Sequence, residues 1–144
     1  MNTLDQKLLN YIQDDGRLSI KKLSTLLFIT APAVSQRLKK LEEHGYIQSY
    51  KAILDLNKLS LTVKAFIQVE LTPEEKPEFY KYIDQVPNVL ECNCVSGPYS
   101  VLLKTVFPST KELDEFVNSL QRFGGTNTQI VLSTPIESRG YKFD

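Results

Sequence analysis

In the first half of the chain, apolar residues recur every three or four positions, which is the spacing of amphipathic helices. Three such stripes precede residue 45, and each predicts a short helix: Leu8, Leu9 and Ile12; Leu23, Leu26 and Leu27; and Val34, Leu38 and Leu41. Thr3, Ser19 and Thr30 are the predicted N-caps, because a hydroxyl accepts from an amide that lacks an intrahelical partner. Three helices with short connections predict a helix-turn-helix unit in which the first helix supports the other two.

The third helix, predicted over residues 31–44 with Gly45 as its left-handed end, carries its polar and basic residues away from the apolar stripe. The candidate DNA-binding residues on this helix are Pro32, Ala33, Ser35, Gln36, Arg37, Lys39 and Lys40. Side chains of these types can enter a DNA major groove, so the helix is a candidate recognition helix. An ordinary surface helix with a solvated basic face is the alternative interpretation.

Position along the helix assigns these residues different tasks. Ser35 and Gln36 lie in its amino-terminal half and are assigned to base edges, whereas Arg37, Lys39 and Lys40 are assigned mainly to phosphates. For Arg37, an ion pair with Glu42 or Asp15 is an equally good expectation.

In the second half, the pattern changes to alternation and then repeats. Residues 46–54 are rich in aromatic and β-branched residues and predict a strand pair, or wing, while residues 55–61 predict a linker. Strands are predicted over residues 62–71, 89–96, 101–107 and 129–136, with one helix starting near Pro77 and another between Ser109 and Gly124-Gly125. The predicted domains are a winged helix-turn-helix at 1–54 and a ferredoxin-like βαββαβ domain at 62–144, which is an α+β chain.

A four-stranded sheet with both helices on one face leaves its other face open. Aromatic and aliphatic residues on both sides of these strands favour burial of that face against a second copy, so a homodimer is expected.

The two halves of the chain differ in charge. Residues 1–60 hold nine Lys and Arg against six Asp and Glu, whereas residues 61–144 hold eight against eleven. Only the first half is therefore expected to approach phosphates, making double-stranded DNA the predicted partner. The spacing of Cys92 and Cys94 and a single histidine, His44, argue against a metal site or a catalytic centre. No apolar run long enough for a membrane span and no secretory signal occur, so a cytoplasmic protein without a cofactor is expected.

Taken in order, several short motifs resemble the Lrp/AsnC family of transcriptional regulators over nearly the whole chain. In the first half they are Leu4-Asp5, Asp15-Gly16-Arg17, residues 37–42 with Gly45 and Ile47, and Ala52. In the second half they are Glu91-Cys92, Val95-Ser96-Gly97, Leu102-Leu103-Lys104 and residues 133–136. The resemblance implies a DNA-binding regulator whose dimers associate further, into tetramers or octamers, and a candidate amino-acid effector bound between dimers.

The resemblance also nominates effector-binding residues and exposes two departures. The nominated residues are Ser96, Gly97, Tyr99, Ser100, Thr126 and Thr128. Relatives often carry an acidic residue in the turn after Val-Ser-Gly, but here the turn reads Pro98-Tyr99-Ser100. They also commonly carry Gly at the helix junction, where this chain has Phe28, which must keep a negative φ, bear strain of about 1 kcal/mol or more, or add apolar contact.

Two other functions stay open on the sequence. Without an effector, a disc of dimers would be an architectural protein that wraps DNA through many weak contacts. A metabolite-binding or catalytic ferredoxin-like module is the alternative from a different class, although no histidine in the second half could serve Ser96 or Ser100 as a base.

Overall fold

The computed structural model describes residues 1–144, which form two compact units. We call residues 1–53 together with 136–144 the N-terminal unit, and residues 54–135 the C-terminal unit. None of the helices is long and apolar enough to cross a bilayer.

The N-terminal unit is built from three helices, α1 (Thr3–Asp14), α2 (Ile20–Leu27) and α3 (Ala31–Glu43). Their apolar stripes meet in one core whose buried members are Leu8, Leu9, Leu23, Leu27, Val34 and Leu41. This confirms the helix-turn-helix expectation. Of the predicted stripe residues, Ile12 and Leu38 pack against the core, whereas Leu26 does not belong to it. The predicted cap Thr3 is wrong: Asn2 is the N-cap, because its side chain accepts from Asp5 N while the Asp5 carboxylate accepts from Asn2 N.

The junction between α2 and α3 shows how Phe28 is accommodated. Its backbone has φ 55° and ψ 40°, so it bears the left-handed strain and does not keep a negative φ. Its side chain is 94% exposed, which also excludes the expected apolar contact.

No strand forms between α3 and β1, so the strand pair predicted at residues 46–54 is not formed within the chain. Tyr46 and Ile47 instead turn back to the carbonyl of Leu41 at the end of α3. The residues that follow are exposed, Ile53 at 95%. A strand requires a hydrogen-bonding neighbour, and sequence propensity cannot provide one.

Residues 136–144 pack on α1, although the sequence assigned them to the second domain. The Asn10 side chain donates to Phe143 O and accepts from Phe143 N, each at 3.0 Å, and Gln13 Nε2 donates to Tyr141 O at 2.9 Å. Lys142 forms an ion pair with Asp14. Phe143 packs against the helical core, so this segment is part of the N-terminal unit.

The C-terminal unit has the predicted βαββαβ order. Its elements are β1 (Val63–Val69), α4 (Lys76–Asp84), β2 (Val89–Cys94), β3 (Val101–Phe107), α5 (Thr110–Leu120) and β4 (Thr126–Ile130). The strands form an antiparallel sheet in the order β2-β3-β1-β4. Apolar residues of α4 and α5, among them Phe79 and Phe116, share one core with alternate residues of β1 and β3, so both helices cover the same face.

The last strand was predicted wrongly at 129–136. It begins at Thr126 and ends at Ile130 because its pairing with β1 runs only from Val69 opposite Thr126 to Ala65 opposite Ile130. The polar residues at its start can join the sheet since backbone groups make the ladder.

Candidate nucleic-acid interface

The first turn of α3 is built from local signals. Thr30 Oγ1 accepts from Ala33 N at 3.3 Å, and Pro32 occupies a first-turn position, where its missing amide costs no intrahelical bond. At the other end Gly45 adopts φ 75° and Tyr46 N donates to Leu41 O at 2.9 Å, which closes the helix. The helix is therefore fixed at both ends, as its sequence predicted.

The buried and exposed faces of α3 separate cleanly. Val34 and Leu41 are buried in the helical core, and Leu38 packs against it. The exposed candidate DNA-binding residues are Pro32, Ser35, Gln36, Lys39 and Lys40, while Ala33 and Arg37 are half-buried. Base-reading and phosphate-binding candidates thus lie on the face that α3 offers outward.

Arg37 differs from the two lysines because it already has a partner. Its Nη1 lies 2.7 Å from Asp5 Oδ1 and 3.5 Å from Asn2 Oδ1, both at the start of α1. The predicted ion-pair partners, Glu42 and Asp15, are therefore wrong. A half-buried pair between α1 and α3 fixes the orientation of the candidate recognition helix.

Glu42 instead anchors the segment after α3. Tyr50 Oη donates to Glu42 Oε1 at 2.9 Å. Burial first, then this hydrogen bond and the carboxylate charge, raise the pKa of Tyr50 to about 12. The hydroxyl therefore remains a neutral donor at physiological pH, and it holds residues near 50 against the end of α3.

Charge is distributed unevenly around α2 and α3. Residues 16–41 contain six cations, Arg17, Lys21, Lys22, Arg37, Lys39 and Lys40, and no Asp or Glu. Lys39 approaches Glu43 only at 3.7 Å, with both side chains more than half exposed, so this pair is weak and easily exchanged. A surface of this kind attracts a polyanion.

All of the nominated effector residues except Thr128 lie near one end of the sheet in the C-terminal unit. Val69, the last residue of β1, lies opposite Val101 on one side and Thr126 on the other. Ser100, directly before β3, donates from Oγ to Leu71 O at 3.0 Å and from N to Val69 O at 3.1 Å. The structure thus brings Ser100 and Thr126 to the two flanks of the same strand end.

The remaining nominated residues occupy the turn before β3 and the middle of β4. Ser96 and Gly97 are exposed, Tyr99 is half-buried, and Gly97 has φ 112°, a backbone conformation suited to glycine. Thr128 lies opposite Ile67, and its Oγ1 is buried without a hydrogen-bond partner.

Glu70 is a residue of this strand end that sequence reasoning missed. Its backbone N donates to Gly125 O at 2.9 Å, and its exposed side chain follows Val69. In the sequence, the expected position of a carboxylate is the turn after Gly97, and Glu70 is distant from that turn along the chain. Pairing of β1 with β3 and β4 was the signal that could have found it.

A helix-turn-helix unit with a cationic outer helix, joined to a βαββαβ unit, defines a two-domain DNA-binding transcriptional regulator. Residues 1–48 match the family model for a winged helix-turn-helix DNA-binding domain, and residues 64–141 match the model for the Lrp/AsnC ligand binding domain. The chain belongs to the Lrp/AsnC family of transcriptional regulators.

Individual relatives agree with this assignment. The uncharacterized HTH-type transcriptional regulator YezC of Bacillus subtilis is 31% identical over 93% of this chain and 95% of its own length. The leucine-responsive regulatory protein of Escherichia coli K12 is 30% identical over 92% of this chain and 85% of its own. These relatives are regulators of transcription rather than enzymes.

Two solved structures share the architecture over nearly the full chain. Bacillus subtilis LrpC superposes with a TM-score of 0.90 at 25% identity, covering 96% of this chain and 99% of that one. A transcriptional regulator from Neisseria meningitidis in complex with L-Met also gives a TM-score of 0.90, at 26% identity, covering 96% and 94%.

Proposed function

We propose that α3 is the recognition helix of this regulator and lies in the major groove of double-stranded DNA. The observation that carries the proposal is the stretch of residues 16–41, which has six cations and no acid and includes the exposed face of α3 as far as Lys40. The exposed acids Glu42 and Glu43 follow only at the end of the helix. Ser35 and Gln36 read base edges, while Lys39 and Lys40 bind phosphates. Pro32 and Ala33 form the close-fitting start of the helix, and Arg37 acts mainly through Asp5, by orienting α3.

Replacing Gln36 with alanine tests the base-reading role. Since Gln can pair with two groups of one adenine, we expect Gln36→Ala to relax the preference at one base position by roughly 5- to 100-fold. The salt dependence of binding should not change, because no phosphate contact is lost. Selection from random duplexes with both proteins, followed by salt titrations, measures both quantities. An unchanged base preference would remove Gln36 from the interface.

We further propose that an amino-acid effector binds at the β1 strand end of the C-terminal unit. The Neisseria relative with bound L-Met and the juxtaposition of Ser100 with Thr126 support this. Ser96, Gly97 and Tyr99 supply polar groups from the turn, and Glu70 supplies the carboxylate that the turn lacks for an ammonium group. Thr128 offers an unpartnered hydroxyl oxygen nearby on β4.

Calorimetric titration with the twenty amino acids tests effector binding, and we expect heat with at least one. Thr128→Val separates the two roles of its hydroxyl. If the hydroxyl binds ligand, the variant loses affinity for the amino acid. If it does not, the variant keeps that affinity and gains about 1 kcal/mol of stability because a buried unpaired oxygen is removed. No heat with any amino acid would favour the architectural, effector-free function.

The sheet of the C-terminal unit has one face that α4 and α5 do not cover, and this face bears on how copies of the chain assemble. Side chains on that face include Phe66 and Leu102 next to Lys64, Gln68 and Lys104, all only half-buried. We infer that a second copy covers this face to form a homodimer, and that dimers associate into tetramers or octamers in the cytoplasm, where DNA is accessible. Mass determination in solution, with and without DNA, measures the assembly.

A further inference from the structure

Phe28 occupies a position that normally belongs to glycine. Its N donates to Thr25 O at 3.4 Å, and Ile29 N donates to Ser24 O at 3.2 Å. These two bonds form the Schellman arrangement that closes α2, and they require the left-handed backbone observed at Phe28. The strain is thus imposed by the way the helix ends.

The aromatic ring of Phe28 makes no packing contact that would offset this backbone strain. Leu27 is buried and Ile29 packs against the helical core on either side, whereas the Phe28 side chain is 94% exposed. Strained backbone conformations cluster at functional sites, and Phe28 combines such a conformation with a large exposed ring. The outward ring is accessible to a partner outside the chain.

The position of Phe28 in the sequence favours DNA as that partner. It lies within the six-cation stretch of residues 16–41 and two residues before Thr30, the cap of α3. Charge complementarity therefore favours DNA over an apolar protein surface. Within the major groove, the thymine C5-methyl group is the apolar feature that a Phe ring can contact.

We propose that Phe28 is a specificity-determining residue whose ring packs on a thymine methyl group beside the start of α3. The proposal rests on the proposed recognition role of α3. It adds a reader of thymine from the turn before the helix to the readers on the helix itself.

Phe28→Gly is the decisive variant because it separates binding from folding. Glycine adopts the left-handed backbone freely, so the melting temperature should rise by about 2–4 °C. Loss of the ring should weaken binding to the preferred duplex by roughly 3- to 10-fold. A more stable protein that binds less well cannot be explained by misfolding. Unchanged affinity would overturn the proposal.

Ser60→Gly provides the matched control. Ser60 has φ 60° and lies in the C-terminal unit, so this variant relieves the same backbone strain away from α3. We expect a similar rise in melting temperature and no change in DNA affinity.

Deoxyuridine in the duplex tests the thymine contact directly, since uracil lacks only the methyl group. After selection of a preferred duplex, each thymine is replaced in turn. At one position we expect about a 3- to 5-fold loss for the unaltered protein and none for Phe28→Gly. An equal loss for both proteins at every position would place the ring elsewhere and overturn the thymine assignment.

Two parallel measurements identify which idea fails. Loss of binding in a variant lacking Lys39 and Lys40, with full binding by Phe28→Gly, would reject the role of Phe28 but retain that of α3. Full binding by both variants would reject α3 as the recognition helix. A change in the solution mass of Phe28→Gly would assign the ring to a contact between copies and overturn the DNA contact.

Discussion

Replacing Lys39 and Lys40 together with alanine is expected to weaken DNA binding by roughly 10- to 100-fold near 0.1 M salt, because two phosphate contacts and their released counterions are lost. The slope of the logarithm of affinity against the logarithm of salt should fall by about 1.8. Both side chains are exposed on the outer face of α3, and only Lys39 has an acidic neighbour, at 3.7 Å. Salt titrations of binding to one duplex measure the slope.

Lys58→Ala with Lys111→Ala is the matched control. Both lysines are exposed, both lie in the C-terminal unit, and the change in net charge is the same. We expect little change in the salt slope, since a phosphate contact depends on position rather than on total charge. Equal slopes for the two double variants would contradict the assignment of α3.

Arg37 shows why the two lysines are the better test. Its guanidinium lies 2.7 Å from Asp5, so its removal also leaves a carboxylate at the start of α1 without its cation. If an Arg37 variant lost DNA binding, the cause could be either a changed orientation of α3 or a lost phosphate contact, and the measurement would not separate the two.

Local signals predicted the parts of this structure that local physics determines. The third helix begins at Ala31 and ends at Glu43 because Thr30 and Gly45 cap it, and both caps are visible in the sequence. Strand β3 matches its predicted bounds, 101–107, since its apolar run follows a Gly-Pro turn. The motifs shared with the Lrp/AsnC family predicted a DNA-binding regulator.

Contacts between distant residues were not predictable in the same way. Asp5 and Arg37 are 32 positions apart, and Asn10 and Phe143 are 133 apart, so no periodicity relates them. The bounds of strand β4 were not predicted because its polar residues join the sheet through backbone pairing with β1. Backbone pairing also brings Ser100, Thr126 and Glu70 to one strand end, and the sequence did not predict that Glu70 lies there.

Gly124 and Gly125 show that a glycine in a sequence can have more than one structural role. They were predicted to end the second helix of the C-terminal unit, but α5 ends at Leu120, four residues before the first of them. Gly124 is instead needed because a Cβ atom there would lie 1.9 Å from the backbone oxygen of Glu70. A glycine in a sequence does not reveal whether it serves a turn or a close approach.

Gly124→Ala is therefore expected to destabilise the C-terminal unit by about 3 kcal/mol or more, because a backbone oxygen cannot move aside as a flexible side chain can. Relief of the overlap must displace β1 near Glu70 from the chain that leads into β4. Since Ser100 and Thr126 flank the same strand end, the variant should also lose the proposed response to amino acids. Urea unfolding measures the first effect, and calorimetric titration measures the second.

Gly125→Ala is the control within the same turn. Its added Cβ would lie 3.5 Å from Glu70 Oε2, an ordinary contact, and its backbone does not require a positive φ. We expect its stability to stay within about 1 kcal/mol of the unaltered protein, with a small gain because alanine restricts the unfolded chain. If both variants unfold at the same urea concentration, the close approach at Gly124 does not limit stability. If Gly124→Ala is destabilised yet still binds an amino acid with unchanged affinity, the effector site lies away from the β1 strand end.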